Sequence, residues 1–351
     1  MINRPTPQQA LRGAVVPRPT TTMAMSAGHL GFLANRLTPR DRWLAHMLYE
    51  HRVLTTRQIT ELAWSRQRVA NLRLLNLYRW RVLDRFQPRL AIGTAQMHYV
   101  LDVGGAAVLA YEHDLEPKQL GFNVDRALGI AHSLRLAHTL GVNDFFSALI
   151  NHGRQSGSPG RLTAWWSEAR CAELFGDAVR PDAYGRWDTQ DNELEWFLEY
   201  DTGSERPATR LATKIAGYAR LAVTTGIVTP VLFWTSTVTR EAAIRRALAE
   251  SVPYLADPAV VPIATASIEQ AVLDEAIDPS QAGWLPLSRQ ATTRMPLIDL
   301  TAAWPNVTPP PSDVTAPQAP VATPNAAARG SIQLAPPSPM PPSPDSSASR
   351  R

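Results

Sequence analysis

The chain has 351 residues, 35 basic and 31 acidic, for a formal charge of +4, with 44% hydrophobic residues and 30 prolines. Length sets an expectation of two domains at roughly 150 residues each, and the apolar content is enough for ordinary cores. With no run of ~18 uncharged apolar residues and no compact apolar leader with a cleavage site, neither a membrane span nor secretion is expected, so the chain reads as cytoplasmic; its single Cys171 excludes an intramolecular disulfide and any cysteine-rich zinc site.

Residues 1–34 carry Pro, Thr, Ala and Gly without a sustained period and are expected to be disordered. The charge then becomes uneven. Between Ala34 and Leu90 stand 12 arginines against four acids (Asp41, Glu50, Glu61 and Asp84), a net +8, which leaves −4 for the remainder of the +4 chain. Concentrated arginine is the electrostatic footprint of a phosphate-backbone partner. The competing reading is a solvated charged surface.

Residues 35–103 read as a winged helix-turn-helix. Thr38-Pro39-Arg40-Asp41 has the form of a helix start, with Thr38 as N-cap, Pro39 in the first turn and Asp41 reaching back. Trp43, Leu44, Met47 and Leu48 follow as an apolar stripe. Thr55 with Gln58 marks a second start, ahead of Ile59, Leu62 and Ala63. Ser65 is expected to open a third helix over Arg66 to Arg79. Val82 to Phe86 and Met97 to Leu101 then flank a loop containing Gly93. Three helices and a hairpin in this order place the third helix in a major groove and the wing on the backbone. On that reading Arg66, Gln67, Arg68 and Asn71 reach base edges, while Arg73, Arg79, Arg81, Arg85 and Arg89 meet phosphates. Leu72, Leu74, Leu75 and Leu77 do not share one helical face, so a second buried side, such as a homodimer contact, is expected. A winged helix that binds protein instead of DNA is the alternative.

A helical connector is expected over residues 104–153, with a short helix from Ala106 to Tyr111 and a long one from about Asp125 to Asn151. His132 and His138 stand six apart on it, off a common face, and read as packing or solvent residues rather than as a metal pair.

Residues 154–290 read as an α/β domain. Strands are expected at Leu162 to Trp166, Ala178 to Tyr184 and Leu194 to Asp201. A helix from Pro207 to about Leu221 follows, then a strand at Val231 to Trp234, a helix at Arg240 to Glu250, and a strand at Val260 to Ala264. Within it Asp182 is followed seventeen residues later by Glu199, then Asp201, Glu205 and Lys214. Carboxylates at the ends of adjacent strands can converge on one hard cation, which polarises a phosphodiester and makes hydroxide from water; a lysine beside them stabilises the developing charge. The arrangement resembles the PD-(D/E)xK nuclease superfamily, with Asp182 at the first acidic position and Glu199 at the second. It departs at the third, where Asp201 stands in place of lysine and Lys214 is the substitute. That resemblance makes Asp182, Glu199, Asp201 and Lys214 the catalytic candidates, with Asp182 and Glu199 holding Mg²⁺. The competing reading is ordinary strand-end acids, with Lys214 paired to Asp201 or Glu205 and Tyr218 packed beside it.

From Pro305 onward 13 of the 30 prolines fall in 47 residues. Residues 304–351 are therefore expected to be a disordered Pro-rich tail with local polyproline II.

Leu37-Thr38-Pro39-Arg40-Asp41, Arg79-Trp80-Arg81-Val82-Leu83-Asp84-Arg85-Phe86, the strand at Met97 to Leu101, and Glu199-Tyr200-Asp201-Thr202-Gly203-Ser204-Glu205 with Lys214 and Tyr218 together resemble the replication-relaxation family of plasmid and integrative-element proteins. The resemblance runs from about Leu37 to Leu287, including Gly283-Trp284-Leu285-Pro286-Leu287. It implies an N-terminal winged helix and a role in replication, relaxation or transfer of a mobile element. The expected fold class is thus α+β: winged helix-turn-helix, helical connector, restriction-endonuclease-like α/β domain and Pro-rich tail. Double-stranded DNA is the expected partner, with no membrane. The function expected first is DNA binding; a Mg²⁺-dependent nicking endonuclease and a non-catalytic transcriptional regulator are the alternatives, and without the nuclease chemistry no cofactor is expected.

Overall fold

A computed structural model describes residues 2, 6–11, 14–15, 25–89, 95–202, 209–276, 278–288, 292–307 and 332–343. Gly93 and Glu205 lie outside the described residues. The chain divides into two units between Asn143 and Asp144, inside a helix.

In chain order the first unit contains β1 (Ala14–Val15), α1 (Ala27–Arg36), α2 (Pro39–His51), β2 (Leu54–Thr55), α3 (Thr56–Ala63), α4 (Gln67–Arg79), β3 (Leu83–Pro88), β4 (His98–Leu101), α5 (Val103–Glu112), α6 (Val124–Leu128) and the first half of α7 (Leu136–Gly153). The strands form one antiparallel sheet in the order β1-β3-β4-β2. Both expected helix starts carry complete capping boxes: Thr38 with Asp41, and Thr55 with Gln58. Each satisfies two amide groups that a helix end leaves without partners, worth about 1 kcal/mol per cap. The third helix differs slightly, because Arg66 and not Ser65 holds the N-cap position, with no side-chain cap bond. Leu44, Met47, Ile59, Leu62, Leu74 and Leu77 are all fully buried between the helices, each contributing about 1.5–3 kcal/mol of apolar burial.

Three expectations for this unit are corrected. Part of the segment expected to be disordered, residues 1–34, is ordered as α1, capped by Ser26, with His29 and Leu33 buried. Only those two of its ten side chains are buried, too thin a stripe to register as a period. The long helix expected from Asp125 is broken: α6 gives way to a 3-10 turn at Gly129–His132, and Ser133 adopts an extended backbone before α7. Glycine and serine are poor helix formers in adjacent turns, and the Ser133 hydroxyl instead accepts from the Arg135 N–H at 3.1 Å. Nor is the connector a separate body. Ile130, Ala131, Leu136 and Leu140 close a core with Leu11, Val53, Phe86 and Val100, and Asn143 Nδ2 donates to Val53 O at 2.7 Å.

The second unit takes the rest of α7, then β5 (Gly160–Ser167), α8 (Glu168–Phe175), β6 (Ala183–Thr189), β7 (Glu193–Asp201), α9 (Thr209–Thr225), β8 (Val231–Thr235), α10 (Val238–Ser251), β9 (Ile263–Ser267), α11 (Ile268–Leu273), β10 (Leu285–Pro286) and α12 (Leu300–Ala303). Among the described residues its strands lie in the order β10-β9-β8-β7-β6-β5. The pairs β5–β6 and β6–β7 are antiparallel, β7–β8 and β8–β9 parallel, and β10 returns antiparallel at the edge. Strand alternation gives the sheet two apolar faces. On one, Tyr184, Phe197, Val231, Phe233 and Ile263 pack with Cys171 of α8, Ile215 and Tyr218 of α9, and Ile244 and Leu248 of α10. On the other, Trp165 and Trp196 stack on Phe146 of α7, with ring centroids 4.9 and 6.3 Å away, and Trp234 meets Phe145 edge-on at 5.4 Å. The result is helix, sheet and helices in three layers.

The strand expected over Ala178 to Tyr184 starts only at Ala183, because Pro181 has no N–H for a ladder bond. The strand expected over Val260 to Ala264 likewise starts at Ile263, just past Pro262. Helix α8 was not expected. Among the described residues, no helix is long and apolar enough to cross a membrane. Residues 332–343, inside the tail expected to be disordered, belong with the first unit and make specific contacts there.

Candidate functional site

The first candidate is the basic surface around α4. Because Ala70, Leu74, Leu77 and Tyr78 face the core, helical periodicity turns the opposite side outward. Arg66, Gln67, Arg68 and Asn71 are exposed there, as is Arg79 at the helix end; Arg89, beyond β3, is exposed too. The four leucines separate as a helix requires. Leu74 and Leu77 are buried, Leu75 is half-buried, and Leu72 stands 62% exposed beside Val69 at 51%. The second buried side expected for this helix is therefore not buried among the described residues.

Three arginines assigned to phosphates are held by the protein itself. Arg73 Nε donates to Asp41 Oδ1 at 2.9 Å, its second nitrogen pairs with Asp41 Oδ2, and its guanidinium lies 5.1 Å from the Trp80 ring. Arg81 pairs with Asp102 at 3.3 Å. The Arg85 guanidinium lies 4.2 Å over the Tyr78 ring. Such contacts are cation–π or ion-pair packing, and they leave the start of α4 as the less encumbered arginine surface.

The second candidate sits at the start of β6, beside the C-terminal part of β7. The register pairs Ala183 with Leu198, so Asp182, one residue earlier, falls opposite Glu199. Asp182 N–H donates to Leu198 O at 3.1 Å, and the Asp182 carboxylate accepts from the Tyr200 N–H at 2.9 Å. Lys214 Nζ and Tyr218 Oη, one turn apart on α9, donate to the two oxygens of Glu199. Asp182 and Glu199 are both buried. Gly217 lets α9 approach: a Cβ there would stand 2.6 Å from Ala178 O, in the loop that leads to Asp182.

Electrostatics follow from burial. Desolvation lifts the Glu199 carboxyl to about 7; Lys214 pulls it down and the neighbouring Asp182 pushes it up. Burial, then the Glu199 charge, holds the Tyr218 phenol well above its ordinary value. Asp182, Glu199 and Lys214 are thus one electrostatic cluster. Asp201, on the same sheet face two residues on, is drawn instead to Arg240 of α10 at 2.6 Å. Lys214, which the competing reading pairs with Asp201 or Glu205, donates to Glu199; Glu205 lies outside the described residues.

The donor set of Asp182 and Glu199 suits a hard cation such as Mg²⁺, which keeps most of its water and needs only one or two carboxylates. Lys214 or Tyr218 would have to release an oxygen of Glu199 to admit it. No cluster of three or more metal-ligating His, Cys, Asp or Glu side chains occurs among the described residues.

Sequence reading missed a second buried polar network on the same sheet face. Glu195 accepts from Tyr184 Oη at 2.6 Å, from Arg186 at 3.1 Å and from Thr229 Oγ1 at 2.9 Å. Its signal was there in β7, where Glu195 and Glu199 alternate with the apolar Leu194, Trp196 and Leu198.

The fold and these two sites define a two-unit α+β protein with an arginine-rich helical unit and a buried acidic cluster on a mixed sheet. A family model described as replication-relaxation matches residues 46–232, more than half of the chain, and the chain belongs to that family. The matched stretch takes in α3, α4, β3, β4 and the Asp182–Glu199–Lys214 cluster. The chain has no match among the curated proteins or the solved structures.

Proposed function

We propose that the chain is a cytoplasmic DNA-binding protein of a plasmid or integrative element, acting in replication, relaxation or transfer of that element. Its family membership supports the role in a mobile element. The observation that carries the DNA-binding reading is the exposed start of α4, where Arg66, Gln67, Arg68 and Asn71 face solvent together. Helices α2, α3 and α4 followed by the β3–β4 hairpin have the order of a winged helix-turn-helix. In that geometry Arg66 and Arg68 read guanine edges or phosphates, Asn71 reads adenine, and Val69 and Leu72 supply the apolar contact that thymine methyl groups favour. The test is binding of element DNA at several salt concentrations by the wild type and by Arg66→Ala/Arg68→Ala. The double variant is expected to bind more weakly with a slope in log salt shallower by about 1–2; an unchanged slope sinks the reading.

A second reading is favoured by the convergence of Asp182, Glu199 and Lys214. On it the second unit is a restriction-endonuclease-like domain, with antiparallel β5-β6-β7, helix α9 and parallel β8 as its core. Asp182 and Glu199 would hold Mg²⁺, which supplies an activated water when bound. Lys214, released from Glu199, stabilises negative charge at the scissile phosphate. Supercoiled plasmid incubated with Mg²⁺ or Mn²⁺ tests it: nicking by the wild type and none by Asp182→Ala supports the nuclease. Intact plasmid throughout, with DNA binding retained, favours a non-catalytic regulator.

A further inference from the structure

Residues 332–343 are uncharged and hold five prolines: Pro336, Pro337, Pro339, Pro341 and Pro342. They form neither helix nor strand, yet they are fixed on the first unit at two points. The Ile332 N–H donates to Gln119 O at 3.0 Å, in the turn that follows α5. Six residues on, the Trp43 indole N–H, on α2, donates to Ser338 O at 2.7 Å. Between these points Leu334 is 4% exposed, and Pro337 is buried while Ala335 and Ser338 face solvent. Pro339, just past Ser338, is buried as well; the five prolines favour polyproline II, whose carbonyls have no internal partners.

The chemistry of the two sides matches. A buried indole N–H needs an acceptor, and Trp43 is itself 9% exposed. A proline-rich strand offers carbonyls while presenting few amides that need acceptors of their own. Its prolines also restrict the free segment, so docking costs less conformational entropy than for an ordinary peptide. Aromatic-lined grooves recognise polyproline II in this way.

From these contacts we infer that the face of α2 around Trp43, with the turn at Gln119, is a binding site for an uncharged proline-rich strand in polyproline II form, and that residues 332–343 of the same chain fill it. The site is independent of the DNA-binding reading, since Trp43 and Gln119 belong to neither candidate site above.

Hydrogen exchange on the full-length chain tests this, with the synthetic peptide 330–343 as the free reference. The Ile332 amide of the wild type is expected to exchange at least tenfold more slowly than in the peptide. Leu334→Asp is expected to return it to the peptide rate while amides in α2 and α4 keep their protection, and Trp43→Phe, which keeps a ring but loses the N–H, to recover part of that rate. Fluorescently labelled peptide is expected to bind the full-length Leu334→Asp chain saturably and the wild type weakly. Exchange of Ile332 at the peptide rate in the wild type, or protection that survives Leu334→Asp, overturns the site. Protection that rises with protein concentration alongside a dimer in sedimentation overturns occupancy by the same chain and assigns the strand to a second copy.

Discussion

Arg73 of α4 closes a two-pronged ion pair on Asp41, the residue that also completes the capping box of α2 by accepting from the Thr38 N–H at 2.7 Å and the Thr38 hydroxyl at 2.6 Å. One carboxylate, 1% exposed as a side chain, therefore fixes both the start of α2 and the distance from α2 to α4. Arg73→Ala leaves that charge buried with only its cap bonds, which is expected to cost about 2–4 kcal/mol. Urea unfolding reads the loss as a lower midpoint at unchanged m-value. In DNA titrations corrected for folded fraction, the salt slope of Arg73→Ala is expected to match the wild type. A slope reduced as far as in Arg66→Ala/Arg68→Ala would return Arg73 to the phosphate contacts.

That pair also marks the limit of what the residues reveal in order. The capping boxes at Thr38 and Thr55 were legible because a cap is written within four consecutive residues. The amphipathic spacing of Leu194 to Asp201 was legible because a strand repeats every two. Nothing local shows that Arg73 belongs to Asp41, 32 residues away, or that Arg240 claims Asp201 across 39. Both convert a residue expected at a functional surface into a tertiary tie. Lys214 was visible as one of only two lysines in the chain, but its pairing with Glu199 depends on how closely α9 approaches at Gly217. Residues 332–343 of the tail were misread for a related reason: composition argues against a self-contained core, and they pack on α2 instead.

The two units carry opposite pH signatures. Glu199 titrates near 7 in the folded protein because it is buried, against an ordinary carboxyl near 4.3 when unfolded. Between those values the native state binds the extra proton, so stability of the second unit falls as pH rises through the window. His98 is the reverse. Burial lowers it to about 4 from 6.5, so between those values the unfolded state binds the extra proton and stability of the first unit rises with pH. Native-state hydrogen exchange, read separately for β7 and β4 amides from pH 4.5 to 7.5, checks both slopes. Glu199→Gln is expected to flatten the first and leave the second; His98→Gln is expected to do the opposite. Parallel slopes in wild type and variant would remove the titration from that residue.

Arg52 ends α2 with φ 70° and ψ −47°, and the Val53 N–H donates to His51 O at 2.8 Å across it. This is a γ-turn of the strained hand, which a side chain with a Cβ disfavours. Arg52 is exposed. Arg52→Gly is expected to raise stability by about 1 kcal/mol, after allowing for the greater freedom glycine gives the unfolded chain. A lower urea midpoint for the glycine variant would mean that Arg52 holds the turn by its side chain.

Gly217 controls the geometry on which the acidic cluster depends. It lies between Lys214 and Tyr218 on α9, and the backbone oxygen of Ala178, 2.6 Å from where its Cβ would stand, cannot rotate aside as a side chain could. Gly217→Ala therefore gains helix propensity, worth about 1 kcal/mol, and loses more than that by pushing α9 away from the loop, about 1–3 kcal/mol. The displacement also draws Lys214 and Tyr218 off Glu199, removing the charge and the hydrogen bonds that hold its carboxyl down. The variant is expected to unfold at lower urea and to titrate Glu199 above 7, read by carboxyl-carbon NMR. A stabilised variant with an unmoved Glu199 would show that α9 tolerates the methyl and that the cluster is not set by the closeness of the helix.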